Sequence, residues 1–482
     1  MVMKIKKPVK LPYLDFSELD ARREACLQEV EVNRRTAPIY VGVCAVVDAG
    51  TPAPVVVDVA AGEEPVAGAV EYAVCMKRFP AKSLLARMLD ESTCSRHHVY
   101  HLAEAVADFH SKAATVDVPD AAARLRAVME QSLEELRGMA SLPGDTVEAL
   151  AKLAATEAAD REALLNARGV DGHNRVCHGD LHAANVFVAE SGEAVLFDAI
   201  EFDANLQHID VFYDVAFLVA DFLHRGHRDH ASTLLNRYLE ASKDYDALVL
   251  LPLFAAGRAA IRAKVAAVRA ATDPAATLEA VAYLELAVSI LKGPAIRPTL
   301  FAVGGLPLPP PLTPPSGSGK STVARALSPM VASPLPAIIL RSDVIRKHLA
   351  GVPDNTLLDP STGYTLAMTT STYGAMCRRA KTVLAGGFSV ICDATFLHMP
   401  RRDEVETVGK EAGAPFIGIW LESDEAVLRA RLKARTGDVS DATPAVLDFQ
   451  KRDAEVGDVT WHIVHSGDGV RPALRELRAQ LA

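Results

Sequence analysis

The sequence predicts a mixed α/β and α+β chain of more than one domain, with a parallel sheet in its C-terminal part. Near the start, β-branched runs such as "PIYVGVCAVV" and "VEYAVCMKRF" give way, from about residue 82, to long Ala-rich helical patterns. After residue 299, short apolar runs alternate with helical patterns, as in βαβ units. The stretch "LKGPAIRPTL" between them has the Gly and Pro content of a linker. We therefore expect a first domain at residues 1–292, a linker at 293–300 and a second domain at 301–482.

Composition and charge narrow the class of protein. Of the 482 residues, 50% are hydrophobic and 23% are charged, which is an ordinary globular balance. The net charge of −10 disfavours a nucleic acid or an anionic membrane as partner, because such surfaces need clustered Lys and Arg. We find neither an apolar run of membrane-spanning length nor a signal peptide, and we expect a cytoplasmic protein. The seven scattered cysteines form no C-x-x-C pair, so we expect reduced thiols rather than disulfides.

The N-terminal residues predict one strand followed by one helix. In "VMKIKK", Lys4 and Lys6 would point to one face of the strand and Lys7 to the other. The alternative interpretation is a solvated run of charges at a terminus. The next stretch, "FSELDARREACLQEVEVNRR", has helical spacing, with Ser17 as the candidate N-cap.

The stretch "VCHGDLHAANVFV", followed by "AVLFDAIEFD", carries the residue types that phosphoryl transfer from ATP needs. This reaction needs a group that orients the attacking hydroxyl and oxygen ligands that hold Mg²⁺ against the phosphates. Asp180 and Asn185 have the Asp-x₄-Asn spacing of a kinase catalytic loop, and Asp198 follows an apolar strand. We predict Asp180 as the catalytic base and Asn185 and Asp198 as Mg²⁺ ligands. His178 and His182 would orient the loop; the alternative is a surface loop with incidental His and Asp.

At these residues the sequence resembles the aminoglycoside phosphotransferase-like kinases, whose motif is H-G-D-x-H-x-x-N followed by an Asp. It is similar to the branch in which this kinase is fused to a C-terminal P-loop kinase-like domain, and the resemblance covers nearly the whole chain. The resemblance implies a protein-kinase-like fold for the first domain. It also implies that Lys4 or Lys6 binds ATP and pairs with Glu29. It does not establish an antibiotic as the substrate.

Two features depart from the pattern of this family. The strand "VMKIKK" begins at residue 2, so we expect a truncated N-lobe without the Gly-rich hairpin that normally precedes this strand. Gln207 stands where an arginine is expected, which would alter support of the substrate or of the loop. We expect Asp210 and Asp214 to brace the catalytic loop rather than to react.

The stretch "SGSGKSTVARAL" predicts a phosphate-binding loop that opens a helix. Backbone N–H groups and the helix N-terminus would bind the phosphates of ATP, Lys320 would reach them, and the Ser321 hydroxyl would bind Mg²⁺. Asp393, at the end of the strand "FSVICDA", is expected to bind the same metal. Asp343, just past another strand, is expected to act on the acceptor. The residues expected to contact ATP are Ser316, Gly317, Ser318, Gly319, Lys320, Ser321 and Thr322.

Basic side chains supply further candidates in the second domain. Arg431 and Arg435 have i,i+4 spacing and are candidate lid arginines that clamp the transferring phosphate; the alternative is a solvated basic face. Arg346 is expected beside the acceptor, and Arg401 and Arg402 are further candidates. This half of the chain resembles the gluconate kinase, chloramphenicol phosphotransferase and zeta-toxin group of P-loop kinases.

A proline-rich insert interrupts the phosphate-binding pattern. In G-x-x-x-x-G-K-[ST] the first glycine should stand at position 314, which is Pro314. Removing residues 307–315 joins Gly305 and Leu306 to Ser316 and restores the pattern. We predict that the insert leaves the strand as an extended excursion, because surface insertions cost little loop-closure entropy. Its deletion should tighten ATP binding, which titration calorimetry would measure.

These residues favour an enzyme that transfers the γ-phosphate of ATP to a hydroxyl of a small molecule, with ATP and Mg²⁺ as cofactors. The alternative is a nucleotide-binding regulator in which one module is a pseudokinase, as the truncated N-lobe and the proline insert would suggest. A module that acts on nucleic-acid ends is disfavoured, because the sequence offers no extended basic track.

Overall fold

The computed structural model describes most of the chain, namely residues 1–11, 14–48, 50, 55–59, 64–294, 296–305, 319–331, 334–354, 356–422, 458–465 and 474. Several predicted features lie outside the described residues: the insert at 307–315, the loop residues Ser316, Gly317 and Ser318, and the candidate lid residues Arg431 and Arg435.

The chain divides into two compact units. Unit 1 comprises Met1–His230 and Leu253–Leu291, and unit 2 comprises Ala231–Pro252 and Lys292–Ala482. Among the described residues, none of the helices is both long enough and apolar enough to span a lipid bilayer.

Unit 1 begins with an antiparallel sheet covered by one helix. Its elements are β1 (Val2–Ile5), β2 (Lys10–Leu11), β3 (Leu14–Asp15), α1 (Leu19–Asn33), β4 (Tyr40–Val47), β5 (Val55–Val59) and β6 (Ala69–Met76). The strand order is β1-β6-β4-β5, and β2 pairs separately with β3. Helix α1 buries Cys26 and Val30 in a core shared with Val43 and Tyr72 of the sheet. Helix α1 therefore lies on the side of the sheet to which Lys4, and Lys6 just after β1, point.

Two expectations about this region were wrong. Ser17 does not cap α1, because its hydroxyl donates to Asp15 Oδ1 at 2.6 Å, and Glu18 occupies the N-cap position without a side-chain hydrogen bond. Cys44 and Cys75 are joined by a disulfide rather than being reduced thiols. They are 31 residues apart in sequence, but β4 and β6 are neighbouring strands, so their Cα atoms are only 6.5 Å apart.

The rest of unit 1 is mostly helical. Its further elements are α2 (Leu85–Asp90), α3 (Arg96–Lys112), α4 (Ala121–Arg137), α5 (Gly144–Asp160), α6 (Glu162–Val170), β7 (Asn174–Val176), β8 (Val186–Val188), β9 (Ala194–Leu196), α7 (Ala204–Gln207), β10 (His208–Asp210), α8 (Val211–His224), α9 (Arg228–Ser242), α10 (Leu251–Arg269) and α11 (Ala276–Lys292). The boundary between the units, at Ala231, falls within α9. Short 3₁₀ turns occupy Ala81–Ser83 and Ala183–Asn185, and a third, Tyr245–Leu250, lies in the segment that belongs to unit 2. All residues of α8 up to Leu223 are buried, so this helix forms the centre of the helical part.

Unit 2 is built on a parallel sheet, as the alternation of apolar and helical runs predicts. Its elements are β11 (Leu300–Gly304), α12 (Lys320–Leu327), β12 (Ile338–Arg341), α13 (Ser342–Ala350), α14 (Pro360–Gly363), α15 (Leu366–Ala385), β13 (Val390–Asp393), α16 (Met399–Glu411), β14 (Phe416–Glu422) and β15 (His462–His465). The strand order is β12-β13-β11-β14-β15, and every described pairing is parallel. The carboxyl ends of β11, β12 and β13 therefore meet at one edge of the sheet, where ligands of such sheets bind.

Residues 231–252 belong to unit 2, although the sequence places them inside the first domain. Asn236 of α9 accepts a hydrogen bond from Ile339 N at 2.6 Å and donates to Ala337 O at 3.3 Å. These bonds satisfy backbone groups along β12, the edge strand of the sheet. An ion pair of 2.5 Å between Arg237 and Asp354 adds a second contact. The predicted linker at 293–300 stays a prediction.

Candidate active site

Lys4 of β1 and Lys6, the residue that follows β1, both contact Glu29 of α1. Lys4 Nζ lies 2.9 Å from Glu29 Oε1 and 2.5 Å from Asp198 Oδ1. Lys6 Nζ lies 2.6 Å from Glu29 Oε2 and also pairs with Glu201. Burial by itself would lower the pKa of each lysine, because it disfavours the charged form. The surrounding carboxylates have the larger effect, so the pKa of Lys4 and of Lys6 is raised above its ordinary value. These lysines are therefore not a solvated run of charges, and Lys4 links α1 to the Asp198 segment.

Asp180 and Asn185 lie in the loop between β7 and β8 and contact each other. Asn185 Nδ2 donates to Asp180 Oδ2 at 3.0 Å and to the Asp180 carbonyl at 2.9 Å. His178 Nε2 donates to the Phe197 carbonyl at 2.9 Å, which leaves Nδ1 to accept from Asp180 N at 3.4 Å. His182 Nε2 lies 3.5 Å from Asp180 Oδ2. Both histidines thus contact the loop where it carries Asp180.

Two buried carboxylates of α8 hold the backbone of this loop. Asp214 accepts hydrogen bonds from His178 N at 2.8 Å and Gly179 N at 3.0 Å, and Asp221 accepts from Ala183 N at 2.8 Å. Gly179 has a φ of +82°, and a Cβ there would lie 2.7 Å from a backbone carbonyl oxygen. The position therefore requires glycine. As expected, Asp214 braces the loop rather than facing the cavity.

Asp198 is held in a left-handed backbone conformation, with a φ of +62°. Asp is among the few side chains that adopt this region, and such strain persists only where neighbours enforce it. Its own N–H donates to Tyr40 Oη at 3.1 Å, and the next N–H donates to Asn33 Oδ1 at 2.7 Å. Phe197 N donates to Asn185 O at 3.0 Å. These bonds bring Asp198 to the catalytic loop and to Lys4.

Gln207 and Asp210 support the surrounding backbone. The Gln207 side-chain amide donates to the Ile200 carbonyl, so this residue braces the segment after Asp198 from the position where an arginine was expected. Asp210 is the N-cap residue of α8, and its carboxylate accepts a hydrogen bond from Arg168 Nε at 2.6 Å. Asp210 thus anchors α8 rather than the loop itself, which refines its expected role.

The charge state of Asp180 follows from its surroundings. Burial opposes ionisation, but the hydrogen bond and charge of His182, together with His178 and Arg258, lower the pKa of Asp180 to about 2. Asp180 is therefore a carboxylate at neutral pH. It can accept a hydrogen bond from a hydroxyl group.

A cavity of about 830 Å³ in unit 1 is lined by Lys4, Lys6, Asp180, Asp198 and Glu201 at one end and by α4 and α10 elsewhere. Its volume is within the range of small-molecule sites. Asn185 is not among its lining residues, because its side chain is buried against Asp180.

The candidate phosphate site of unit 2 lies where β11 ends. Gly305 has a φ of +147°, and a Cβ there would lie 2.3 Å from a backbone carbonyl oxygen, so the strand exit requires glycine. Gly319 has a φ of +90° and precedes α12, which begins at Lys320. Thr322 is exposed in the first turn, and its hydroxyl accepts from Arg325 at 3.3 Å.

The predicted metal ligands of unit 2 contact each other. Ser321 makes a side-chain hydrogen bond with Asp393, which is buried at the end of β13. Burial raises the pKa of Asp393 against the opposing charges of Arg341 and Lys320, and Asp343 raises it further. Ser321 and Asp343 thus both influence the protonation of Asp393, in opposite directions.

The other predicted arginines of unit 2 are used within the fold. Arg346 is buried, donates to Gly363 O at 3.0 Å and stacks on the Tyr364 ring at 4.5 Å. Arg402 is buried and donates to Phe396 O at 2.9 Å. Arg401 pairs at 2.7 Å with a glutamate on its own helix. This geometry does not support a contact between these arginines and the acceptor.

Sequence reasoning missed Glu201 and Asp221. Glu201 stands three residues after Asp198 in "FDAIEFD", and only the fold places it against Lys6. Asp221 lies seven residues after Asp214 on the apolar helix α8, hence on the same face. An aspartate inside a wholly buried helix is rare unless it is paired, and that signal could have identified it.

The two folds and their sites define a chain that joins a phosphotransferase-type kinase domain to a P-loop kinase-like domain. Residues 19–251 match the family model described as "Phosphotransferase enzyme family", and residues 315–456 match the one described as "AAA domain". The first module thus matches a phosphotransferase family model, and the second module matches an AAA-domain model. The resemblance and the fold class predicted from the sequence are confirmed.

Particular relatives are similar to different parts of the chain. An uncharacterized protein of Mycobacterium tuberculosis is 29% identical over 459 residues, which are 92% of this chain and 84% of that protein. The adenylyl-sulfate kinase of Myxococcus xanthus is 31% identical over 153 residues, which are 30% of this chain and 77% of that protein. Among solved structures, a gluconokinase from Sinorhizobium meliloti 1021 is 23% identical, with a TM-score of 0.27, and the match covers 38% of this chain and 91% of that chain.

Proposed function

We propose that unit 1 is an ATP-dependent phosphotransferase that moves the γ-phosphate of ATP to a hydroxyl group of a small molecule. The observation that carries the proposal is that Asp180, Asp198 and Lys4, which pairs with Glu29, line one cavity of small-molecule size. A mere nucleotide binder would not need an ionised carboxylate in the position of Asp180. The match of residues 19–251 to the phosphotransferase family model supports the same reaction class.

The side chains that line this cavity, together with Asn185 buried against Asp180, fit ATP and Mg²⁺. Asp198 and Asn185 offer the hard oxygen ligands that Mg²⁺ prefers, and Lys4 offers a cation for the phosphates. Bound Mg²⁺ would neutralise phosphate charge. Asp180 accepts a hydrogen bond from the acceptor hydroxyl and aligns its oxygen with the γ-phosphorus. Because its pKa is low, Asp180 takes the proton only as the new O–P bond forms.

We propose a second ATP site in unit 2. Lys320 and the backbone from Ser316 to Thr322 would bind the phosphates, and Ser321 and Asp393 would bind Mg²⁺. The hydrogen bond between Ser321 and Asp393 supports this assignment. Asp343 would act on the acceptor, and Arg431 and Arg435 would clamp the phosphates. Because ATP is the donor at both sites, we propose a cytoplasmic site of action.

An assay of ADP formation tests this function in the full chain. Mg²⁺-ATP and a panel of hydroxylated small molecules are supplied to the parent, to Asp180→Asn, to Lys320→Ala and to the double variant. In the Lys320→Ala background, Asp180→Asn should lower turnover by about 10²- to 10⁴-fold. Asp108→Asn, an exposed change on α3, is the matched control and should leave turnover unchanged. If neither Asp180→Asn nor Lys320→Ala reduces ADP formation, both sites are nucleotide-binding modules without transfer activity.

A further inference from the structure

Five charged side chains form a line of alternating sign at the catalytic end of the cavity in unit 1. They are, in order, Asp198, Lys4, Glu29, Lys6 and Glu201, and each pairs with the next. The proposed reaction uses Asp198 and Lys4 and gives no role to Lys6 and Glu201. Buried ion pairs add little to stability on average, because the loss of hydration offsets the attraction between the charges. A buried pair beside a catalytic lysine is therefore better explained by what it positions than by what it stabilises.

Exposure distinguishes the two lysines. The side chains of Lys4 and Asp198 expose 35% and 37% of their surface, so a ligand in the cavity can contact both. Lys6 and Glu201 also border the cavity, but their side chains expose only 8% and 6%, and that of Glu29 is fully buried. Lys4 shares Asp198 with the proposed metal, whereas both partners of Lys6 are buried carboxylates. Lys4 is therefore the lysine that a phosphate group can reach.

Lys6 compensates the oxygen of Glu29 that Lys4 does not contact. Glu29 Oε1 lies 2.9 Å from Lys4 Nζ, and Oε2 lies 2.6 Å from Lys6 Nζ. Oε2 is buried and makes no hydrogen bond to the described residues, so the charge of Lys6 is its compensation. A buried carboxylate oxygen without compensation is costly. Loss of Lys6 should therefore turn Glu29 toward Lys4 and draw the Lys4 ammonium away from the phosphates.

Glu201 fixes Lys6 to the segment that carries the predicted metal ligand. Ile200 N donates to the His178 carbonyl at 3.0 Å, and the Ile200 carbonyl accepts from the Gln207 side chain. Glu201 thus follows a residue whose backbone is held on both sides. Lys6 directly follows β1, and β1 is an edge strand that pairs with β6. The Lys6–Glu201 ion pair therefore gives β1 a second attachment, outside the sheet.

We propose that Lys4 is the lysine of unit 1 that binds the phosphates of ATP, and that Lys6 and Glu201 are positioning residues. Glu201 holds Lys6, and Lys6 holds Oε2 of Glu29. Oε1 of Glu29 then sets the place of the Lys4 ammonium. This inference rests on the proposed function, because it assigns parts of the same site. It gives phosphate binding to one of two lysines between which the sequence does not decide.

Titration calorimetry of the full Lys320→Ala chain with Mg²⁺ and AMPPNP, an ATP analogue that is not hydrolysed, tests this positioning. The test variant is Lys6→Met/Glu201→Gln, which removes one positive and one negative charge and should therefore keep the melting temperature of the parent. We expect it to weaken AMPPNP binding at least about fivefold, since small misplacements of a contacting group are costly. When Lys4→Met is added to both chains, the same double change should alter binding less than about twofold, because Lys6 acts through Lys4.

The matched control is Lys10→Met, which removes an exposed lysine of β2 and should bind AMPPNP like the parent. Parent affinity in Lys6→Met/Glu201→Gln would overturn the positioning role, whether or not the melting temperature falls. An equal loss with and without Lys4 would overturn it as well, because Lys6 would then contact the phosphates itself. Parent affinity in Lys4→Met would show that Lys4 does not bind the phosphates.

ADP formation with the hydroxylated panel separates this result from the proposed function. If AMPPNP binding changes as expected but no compound supports Asp180-dependent turnover, the positioning stands and the proposed reaction is wrong. If Asp180-dependent turnover is found but Lys6→Met/Glu201→Gln binds AMPPNP like the parent, the reaction stands and the positioning is wrong.

Discussion

Gly179 shows at the level of one residue how the catalytic loop depends on its backbone. A methyl group there would meet a positive φ and a carbonyl oxygen at 2.7 Å. We expect Gly179→Ala to displace Asp180 and to lower Asp180-dependent ADP formation at least about tenfold, since small misplacements of reacting groups are costly. Gly192→Ala is the matched control, because Gly192 also has a positive φ, +88°, but no atom within 4 Å of the added carbon. Equal activity of the two variants would show that the loop tolerates the methyl group.

Asp180 also sets the pH dependence of the reaction. Its pKa is lowered to about 2, so the carboxylate stays ionised until the pH falls through that value. The profile of kcat/KM should therefore carry no acid limb from Asp180 between about pH 5 and 8. Replacing His182 by Gln should raise the pKa of Asp180, because His182 contributes to lowering it. This assignment is contradicted if the kcat/KM profile of the parent has an acid limb with a midpoint above pH 5 and that midpoint rises further in His182→Gln.

At the level of elements, helix α9 stabilises the edge of the unit 2 sheet through Asn236. We expect Asn236→Ala to destabilise unit 2 by about 1–3 kcal/mol, because it leaves buried backbone groups of β12 without partners. Both tryptophans of the chain, Trp420 and Trp461, lie in unit 2, so their fluorescence in a urea titration reports its unfolding. Thr407→Ala, an exposed change in the same unit, should shift the transition by less than about 0.5 kcal/mol. An unchanged midpoint for Asn236→Ala would show that α9 does not support β12.

The sequence predicts elements and local motifs better than contacts between distant segments. The spacing of Asp180 and Asn185 and the strand before Asp198 are local patterns, and the structure brings these segments together. Alternation along β1 predicts that Lys4 and Lys6 share a face, but it does not predict that both reach Glu29. The assignment of residues 231–252 to unit 2 and the Cys44–Cys75 pair depend on which segments become neighbours, and propensity and periodicity carry no such information.

At the scale of the whole molecule, the chain combines two modules that each match a kinase-related family model. Activity of the parent is therefore a sum of contributions from two candidate sites. Substitution of Lys320, which begins α12 in unit 2, leaves the cavity residues of unit 1 unaltered, and it isolates the contribution of unit 1. We propose that this contribution is phosphoryl transfer through Asp180 and not hydrolysis of ATP.

Phosphorus-31 NMR of the full Lys320→Ala chain, supplied with Mg²⁺-ATP and the hydroxylated acceptor panel, distinguishes transfer from hydrolysis. We expect a new phosphomonoester resonance that grows in step with ADP. The resonance should persist in the Asp108→Asn control and fall by about 10²- to 10⁴-fold in rate when Asp180→Asn is added. Formation of ADP with inorganic phosphate alone, or of the ester at an equal rate without the Asp180 carboxylate, would contradict it.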